Sequence, residues 1–161
     1  MNKLMIPMEE STVKIKKATL DDIDEIRRLT KQLCSELGKR FSEIRFKQGI
    51  MNRLNDPIKR YFLAEKGEKI IAMVFAEITD IDNDKQLEGF LKTVVVDEAY
   101  RGLKIGEKII NSAIDYLKEK NIKTVYTNIH KKSKAAINLY KKIGFINEFG
   151  LEPIKRMILK L

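Results

Sequence analysis

The residues with the clearest capacity for chemistry lie between Val94 and Ile110, in the stretch VVVDEAYRGLKIGEKII. Three valines form an apolar run that reads as a strand buried on both faces. A polar turn, Asp97 to Tyr100, leads into Arg101-Gly102-Leu103-Lys104-Ile105-Gly106. Ile105, Ile109, Ile110, Ala113, Ile114 and Leu117 then recur at helical spacing. A helix that starts in such a loop points its first unpaired N–H groups and the positive end of its dipole at one spot, which suits an anion. Gly102 and Gly106 let the backbone come close to phosphate oxygens without a Cβ in the way. Arg101 and Lys104 add positive charge there. The same spacing also fits an ordinary strand-to-helix turn capped by glycine.

Arg101 to Gly106 resembles the pyrophosphate loop, R/Q-x-x-G-x-G/A, of the GNAT superfamily of acetyl-CoA-dependent N-acetyltransferases. Lys104 stands where that pattern has its first glycine; a non-glycine serves there if its φ is negative, and its ammonium helps hold phosphate. Further along, AAINLYKKIGF resembles the second signature, N-x-x-A-x-x-L-Y-x-x-x-G-F, with Ser133 in place of the leading asparagine. Together the two resemblances span residues 88–146 in the order and separation of the family.

The resemblance implies a mixed α/β fold, a twisted and mainly antiparallel sheet of six to seven strands flanked by about four helices. It implies transfer of the acetyl group of acetyl-CoA to a primary amine by direct attack in a ternary complex. Val94, Val95 and Val96 would pair through their backbone with the pantetheine arm, as if with an added strand. That requires a local opening between neighbouring strands, of the kind a bulge makes. Arg101, Gly102, Leu103, Lys104, Ile105 and Gly106 would hold the diphosphate. Ser133 would cap the following helix and still contact the pantetheine.

Tyr140 matches the family tyrosine whose hydroxyl protonates the departing thiolate, a role that suits a phenol; it also fits a packed helix tyrosine. Glu88 stands thirteen residues before Arg101, the offset at which the resemblance to the histone-modifying branch implies a general base. The attacking amine must first lose a proton, usually through water to a carboxylate. Glu88 also fits an exposed carboxylate at the start of a strand. Asn128 occupies a position where ribosomal-protein N-terminal acetyltransferases often have a glutamate. His130, on the same side of that strand, is an alternate base, or a surface histidine. Lys104 and Ser133 also leave room for a non-catalytic acyl-CoA-binding module of the same fold.

The elements that position these residues follow from periodicity. Residues 1–11 read as a loose tail. Thr12 to Ala18 alternates as a strand, and Thr19 caps a helix with Asp21 and Asp22 in its first turn. Ile23, Ile26, Leu29, Leu33 and Leu37 form the buried stripe of that helix, and Gly38 ends it. Cys34 falls within the pattern as a buried small apolar residue. A second helix runs from about Ser42 to Leu54. In the family such a helix pair forms a wall of the acceptor site, so Phe41, Phe46 and Tyr61 either touch substrate or pack the hinge. Tyr61–Glu65 and Ile70–Ile78 read as a hairpin, and Glu88–Val96 as the next strand. Between them Asp80, Asp82 and Asp84 join Glu77 and Glu88, a local acidic cluster that reads first as a solvated loop and, beside the expected active centre, also favours a cationic amine acceptor. Ile122–Ile129 is a strand, Lys134–Lys142 a helix, and Phe145–Glu148 with Ile154–Leu161 a final strand pair. That pair borders the acceptor site in the family and sometimes forms a homodimer contact.

Bulk properties narrow the rest. A chain of 161 residues fits a single domain with a full core. The formal charge is +9, but the lysines are scattered and aromatics make up only 7%, which argues against nucleic acid. One cysteine excludes an internal disulfide, and one histidine supplies no metal set, so no metal is expected. No apolar run approaches a membrane span, and MNKLMIPMEES lacks a signal-peptide core; the expected location is the cytoplasm.

Overall fold

The computed structural model describes residues 12–80 and 86–161. The expected tail over 1–11 and the middle of the acidic loop, 81–85, lie outside the described residues.

The chain opens with β1 (Val13–Lys17) and a 3-10 turn at Leu20–Asp22, which leads directly into α1 (Ile23–Glu36). Thr19 and Asp22 close a reciprocal cap. The Thr19 hydroxyl accepts from the Asp21 N–H at 3.3 Å, and the Asp22 carboxylate accepts from the Thr19 N–H at 2.8 Å. Ser42 caps α2 (Glu43–Asn55) by accepting from the Arg45 N–H at 3.3 Å. β2 (Arg60–Lys66) and β3 (Lys69–Thr79) form a hairpin, followed by β4 (Glu88–Val96). Then come α3 (Ile105–Glu119), β5 (Thr124–His130), α4 (Lys134–Ile143), β6 (Ile146–Glu148) and β7 (Ile154–Lys160).

The seven strands make one sheet in the order β1-β2-β3-β4-β5-β7-β6. Every neighbouring pair is antiparallel except β4 and β5, which run parallel. Alternation along β3 divides two cores. Ala72, Val74 and Ala76 face α3 and α4, while Met73 and Phe75 face α1 and α2.

Two irregularities shape the site. The parallel pairing lasts only three positions, Gly89↔Val125, Phe90↔Tyr126 and Leu91↔Thr127, after which β4 and β5 part as a fork. β4 also bulges. Phe75 pairs with Lys92 and Met73 with Val95, so Thr93 and Val94 together oppose Val74. Thr93 takes φ +51 there, a left-handed conformation that costs a β-branched residue about 1–3 kcal/mol. The expectation that the three valines are buried on both faces fails for this reason. Val95 is buried, but Val94 and Val96 are only half-buried because the fork exposes their side. Cys34, expected in the core, is likewise half-buried on α1.

Candidate active site

A cavity of about 630 Å³ opens where the strands part. One wall is β4 through Val94, Val95 and Val96, and its floor is the loop Arg101, Gly102, Lys104, Ile105 and Gly106. Ser133, Ala136 and Leu139 at the start of α4 form the opposite wall, and Leu33 and Glu36 of α1 with Leu37 just beyond it complete the lining. Leu103 alone among the expected loop residues does not line the cavity; its side chain is exposed. Lys132, Lys134 and Lys142 add positive charge to the rim beside Arg101 and Lys104. His130 lines the cavity too, its Nδ1 accepting from the Lys132 N–H at 3.1 Å.

Each loop position has its own physical reason. Lys104 adopts φ +61, ψ +21, so the condition set for a non-glycine at this position, a negative φ, is not met. The lysine takes the left-handed turn that glycine would otherwise provide, and α3 begins there with no side chain capping its first amides. Gly102 is needed for its φ of +83, with open space around the missing Cβ. Gly106 packs closely against α4: a Cβ there would meet Leu139 Cδ2 at 2.8 Å, so the leucine side chain would have to shift to admit it. Ser133 departs from expectation: its side chain makes no capping bond to α4, so the hydroxyl stays available on the cavity wall.

A stripe on α1 that periodicity does not single out fastens the loop. Arg28, Gln32 and Glu36 recur four apart and so share one helix face. Arg28 donates to Asp97 Oδ2 at 2.7 Å and to the Ile70 carbonyl at 2.6 Å. Gln32 Nε2 donates to the Val96 carbonyl at 2.9 Å. Glu36 pairs with Arg101, whose Nε also donates to the Val96 carbonyl at 3.2 Å. Burial pushes the Asp97 carboxyl up, but the Ala99 N–H, Arg28 and Lys69 outweigh it and hold the group below its ordinary range.

The two residues singled out for proton transfer sit on opposite faces of the sheet. Tyr140 is 1% exposed and packs edge-on against Phe145 at 5.0 Å. Its hydroxyl is buried with no hydrogen-bond partner of acceptable geometry among the described residues. Thr127, the last β5 residue before the fork, is its polar neighbour but commits its own proton to the Leu91 carbonyl at 3.0 Å. Burial drives the Tyr140 phenol far up, so it stays protonated and able to donate.

Glu88 does not line the cavity. It starts β4 three residues before the fork, about 10 Å back along the strand. Tyr126 lies beside it; burial and the neighbouring Glu88 carboxylate push the Tyr126 phenol up to about 12. Glu77, two residues along β3 from Phe75, is engaged by Lys92 at 2.7 Å and Lys59 at 3.4 Å. It therefore contributes little to the expected acidic cluster, of which Asp82 and Asp84 lie outside the described residues.

Residues 21–145 match the acetyltransferase (GNAT) family. The chain belongs to that family. Among curated relatives, the N-alpha-acetyltransferase of Sulfurisphaera tokodaii is 27% identical over 139 residues, covering 82% of this chain and 79% of that protein. An acetyltransferase of the GNAT family from Staphylococcus aureus superposes with a TM-score of 0.77 at 20% identity, over 93% of this chain and 99% of that one. A NatC complex bound to Gag peptide and CoA contains a chain that superposes at TM-score 0.72 and 19% identity, over 92% and 98%. The seven-stranded sheet with four helices is thus the GNAT fold, and the protein is an acetyltransferase. Phe41, Phe46 and Tyr61, the aromatics on the family's acceptor wall, serve packing here. Tyr61 is buried against Phe75, and the rings of Phe41 and Phe46 pack at a tilt with centres 5.7 Å apart.

Proposed function

We propose that this enzyme transfers the acetyl group of acetyl-CoA to a primary amine by direct attack within a ternary complex. The observation that carries the reading is the fork: a bulged β4 parts from β5 beside an uncapped helix start with cations on its rim. The Tyr140 phenol does not line the cavity; it lies buried and unpartnered behind the wall, next to Thr127, the last β5 residue before the fork. The structurally similar NatC complex, which is bound to CoA, supports the same cofactor.

In this reading the diphosphate lies on the loop from Arg101 to Gly106, held by backbone N–H groups, Arg101 and Lys104. Leu103 takes part through its backbone. The pantetheine arm runs along the freed edge of Val94, Val95 and Val96 with Ser133 across from it. Glu88 first takes the ammonium proton through water and releases it to solvent. The neutral amine then attacks the thioester carbonyl, forming the C–N bond. The C–S bond breaks as Tyr140 donates its hydroxyl proton to the thiolate, and the second proton shed by the acylated nitrogen restores the Tyr140 hydroxyl. The compartment is the cytoplasm.

Tyr140→Phe tests the assignment. The variant is expected to lose about 10- to 100-fold in kcat while keeping its CoA affinity. Turnover equal to that of the natural enzyme, read out by free thiol, would remove Tyr140 from the mechanism.

A further inference from the structure

On the sheet face that carries α1 and α2, Arg156 of β7 lies with its guanidinium carbon 5.5 Å from the Phe90 ring centre and 5.3 Å from that of Tyr126. Its Nε donates to Asn128 Oδ1 at 3.1 Å. Two rings and one hydrogen bond fix the plane of the guanidinium, so little side-chain freedom is left to lose when it binds an anion. Among the described residues neither terminal nitrogen has a partner; Glu148, opposite Arg156 in the β6–β7 register, forms no ion pair with it. By contrast Arg27, Arg28 and Arg101 each hold a carboxylate.

Its position bears on the reaction. Asn128 is the first β5 residue past the last pair with β4, so the guanidinium stands beside the point where the strands part. Of the carboxylates on the neighbouring strands, Glu77 is already engaged by Lys92 and Lys59, Glu88 lies beside Tyr126, and Glu148 makes no ion pair with Arg156. A planar fork with two free terminal nitrogens matches a carboxylate bidentately.

We propose that Arg156 determines specificity, receiving a carboxylate carried by the amine acceptor while the acceptor's amine reaches the fork. The proposal deepens the acetyl-transfer reading and rests on it. It also reverses the preference for a cationic acceptor that the acidic sequence cluster suggests. A free amino acid and a peptide beginning with an acidic residue both present this chemistry.

The test uses matched acceptors with the full chain: free glutamate against glutamine, and a glutamate-initiated peptide against its glutamine-initiated counterpart. With acetyl-CoA, the carboxylate partner of at least one pair is expected to show about tenfold higher kcat/KM, expressed mainly in KM. Arg156→Gln is expected to bring that ratio close to one, with Arg156→Lys intermediate. Which pair responds distinguishes amino acid from peptide. The same pairs are titrated calorimetrically onto the CoA-loaded protein, so that selectivity is read without turnover. Carboxylate selectivity lost in Arg156→Gln but unaccompanied by acetyl transfer would uphold the Arg156 site and sink the acetyl-transfer reading. Transfer with no carboxylate preference, or a preference that survives the substitution, would overturn the proposal. A loss of melting temperature shared by all variants leaves the ratio within each variant as the deciding quantity.

Discussion

At the scale of single residues, the most informative side chain is Glu36, a carboxylate placed where a diphosphate is expected to lie. It pairs with Arg101 on the wall of the cavity, so cofactor phosphate and Glu36 compete for one guanidinium. Glu36→Gln is therefore expected to tighten CoA binding about three- to tenfold, read by calorimetry at low salt, where exposed charges are least screened. Weaker binding in that variant would mean instead that Glu36 holds Arg101 in its working pose. Thr93 and Lys104 belong to the same scale. Each accepts a left-handed backbone unsuited to its side chain, one at the bulge and one at the start of α3. Strain at two points of one cleft is what a built site looks like, since the surrounding sheet must hold both in place.

At the scale of elements, α1 and the end of β4 act as a unit joined through Asp97. Its backbone N–H donates to the Ile71 carbonyl at 2.7 Å, while its side chain meets Arg28 at 2.7 Å and Lys69 at 3.6 Å. Because its carboxyl is held below its ordinary value in the folded chain, the stability it contributes is present above the unfolded pKa. That stability is lost as pH falls through the folded one. Asp97→Asn is expected to cost about 1–3 kcal/mol near neutrality and to flatten the decline in melting temperature below about pH 4. An unchanged acid profile would contradict this.

Most element boundaries are legible in the sequence because period and caps agree. Glu88–Val96 matches its expected span residue for residue. Thr19 caps as expected, though the turn it caps is a 3-10 turn ahead of α1, and the helix expected from about Ser42 starts just after that residue. The bulge is not legible: a threonine in a run of β-branched residues signals a regular strand, and only pairing with β3 shows the extra residue. The φ of Lys104 is hidden for a similar reason, since a lysine gives no local hint of a left-handed turn. Glu88 stands out by its offset from Arg101, a distance along the chain that says nothing of the roughly 10 Å separating it from the fork. Arg156 carries no signal of its own in the sequence, because its significance comes from strands that pair with β7 and not from its neighbours along the chain.

At the scale of the molecule, two cores lie on either side of one sheet, and the fork between β4 and β5 interrupts that sheet. The face of α3 and α4 supplies the helix start, the cationic rim and Tyr140; the face of α1 and α2 supplies Glu88, Tyr126 and Arg156. In the proposed reaction a thioester entering from one side and an amine from the other would meet where β4 and β5 separate. The net charge of +9 thus has local use at the rim, where the phosphates of the cofactor would sit. Among the described residues no helix is long and apolar enough to cross a membrane. The most direct test compares calorimetric titrations of acetyl-CoA and acetyl-pantetheine, which differ in the nucleotide and its diphosphate. The account predicts one acetyl-CoA site per chain, with affinity at least about tenfold above that for acetyl-pantetheine and an advantage that shrinks in Arg101→Gln. Equal affinity for the two, or no heat and no melting shift at millimolar acetyl-CoA, would contradict it.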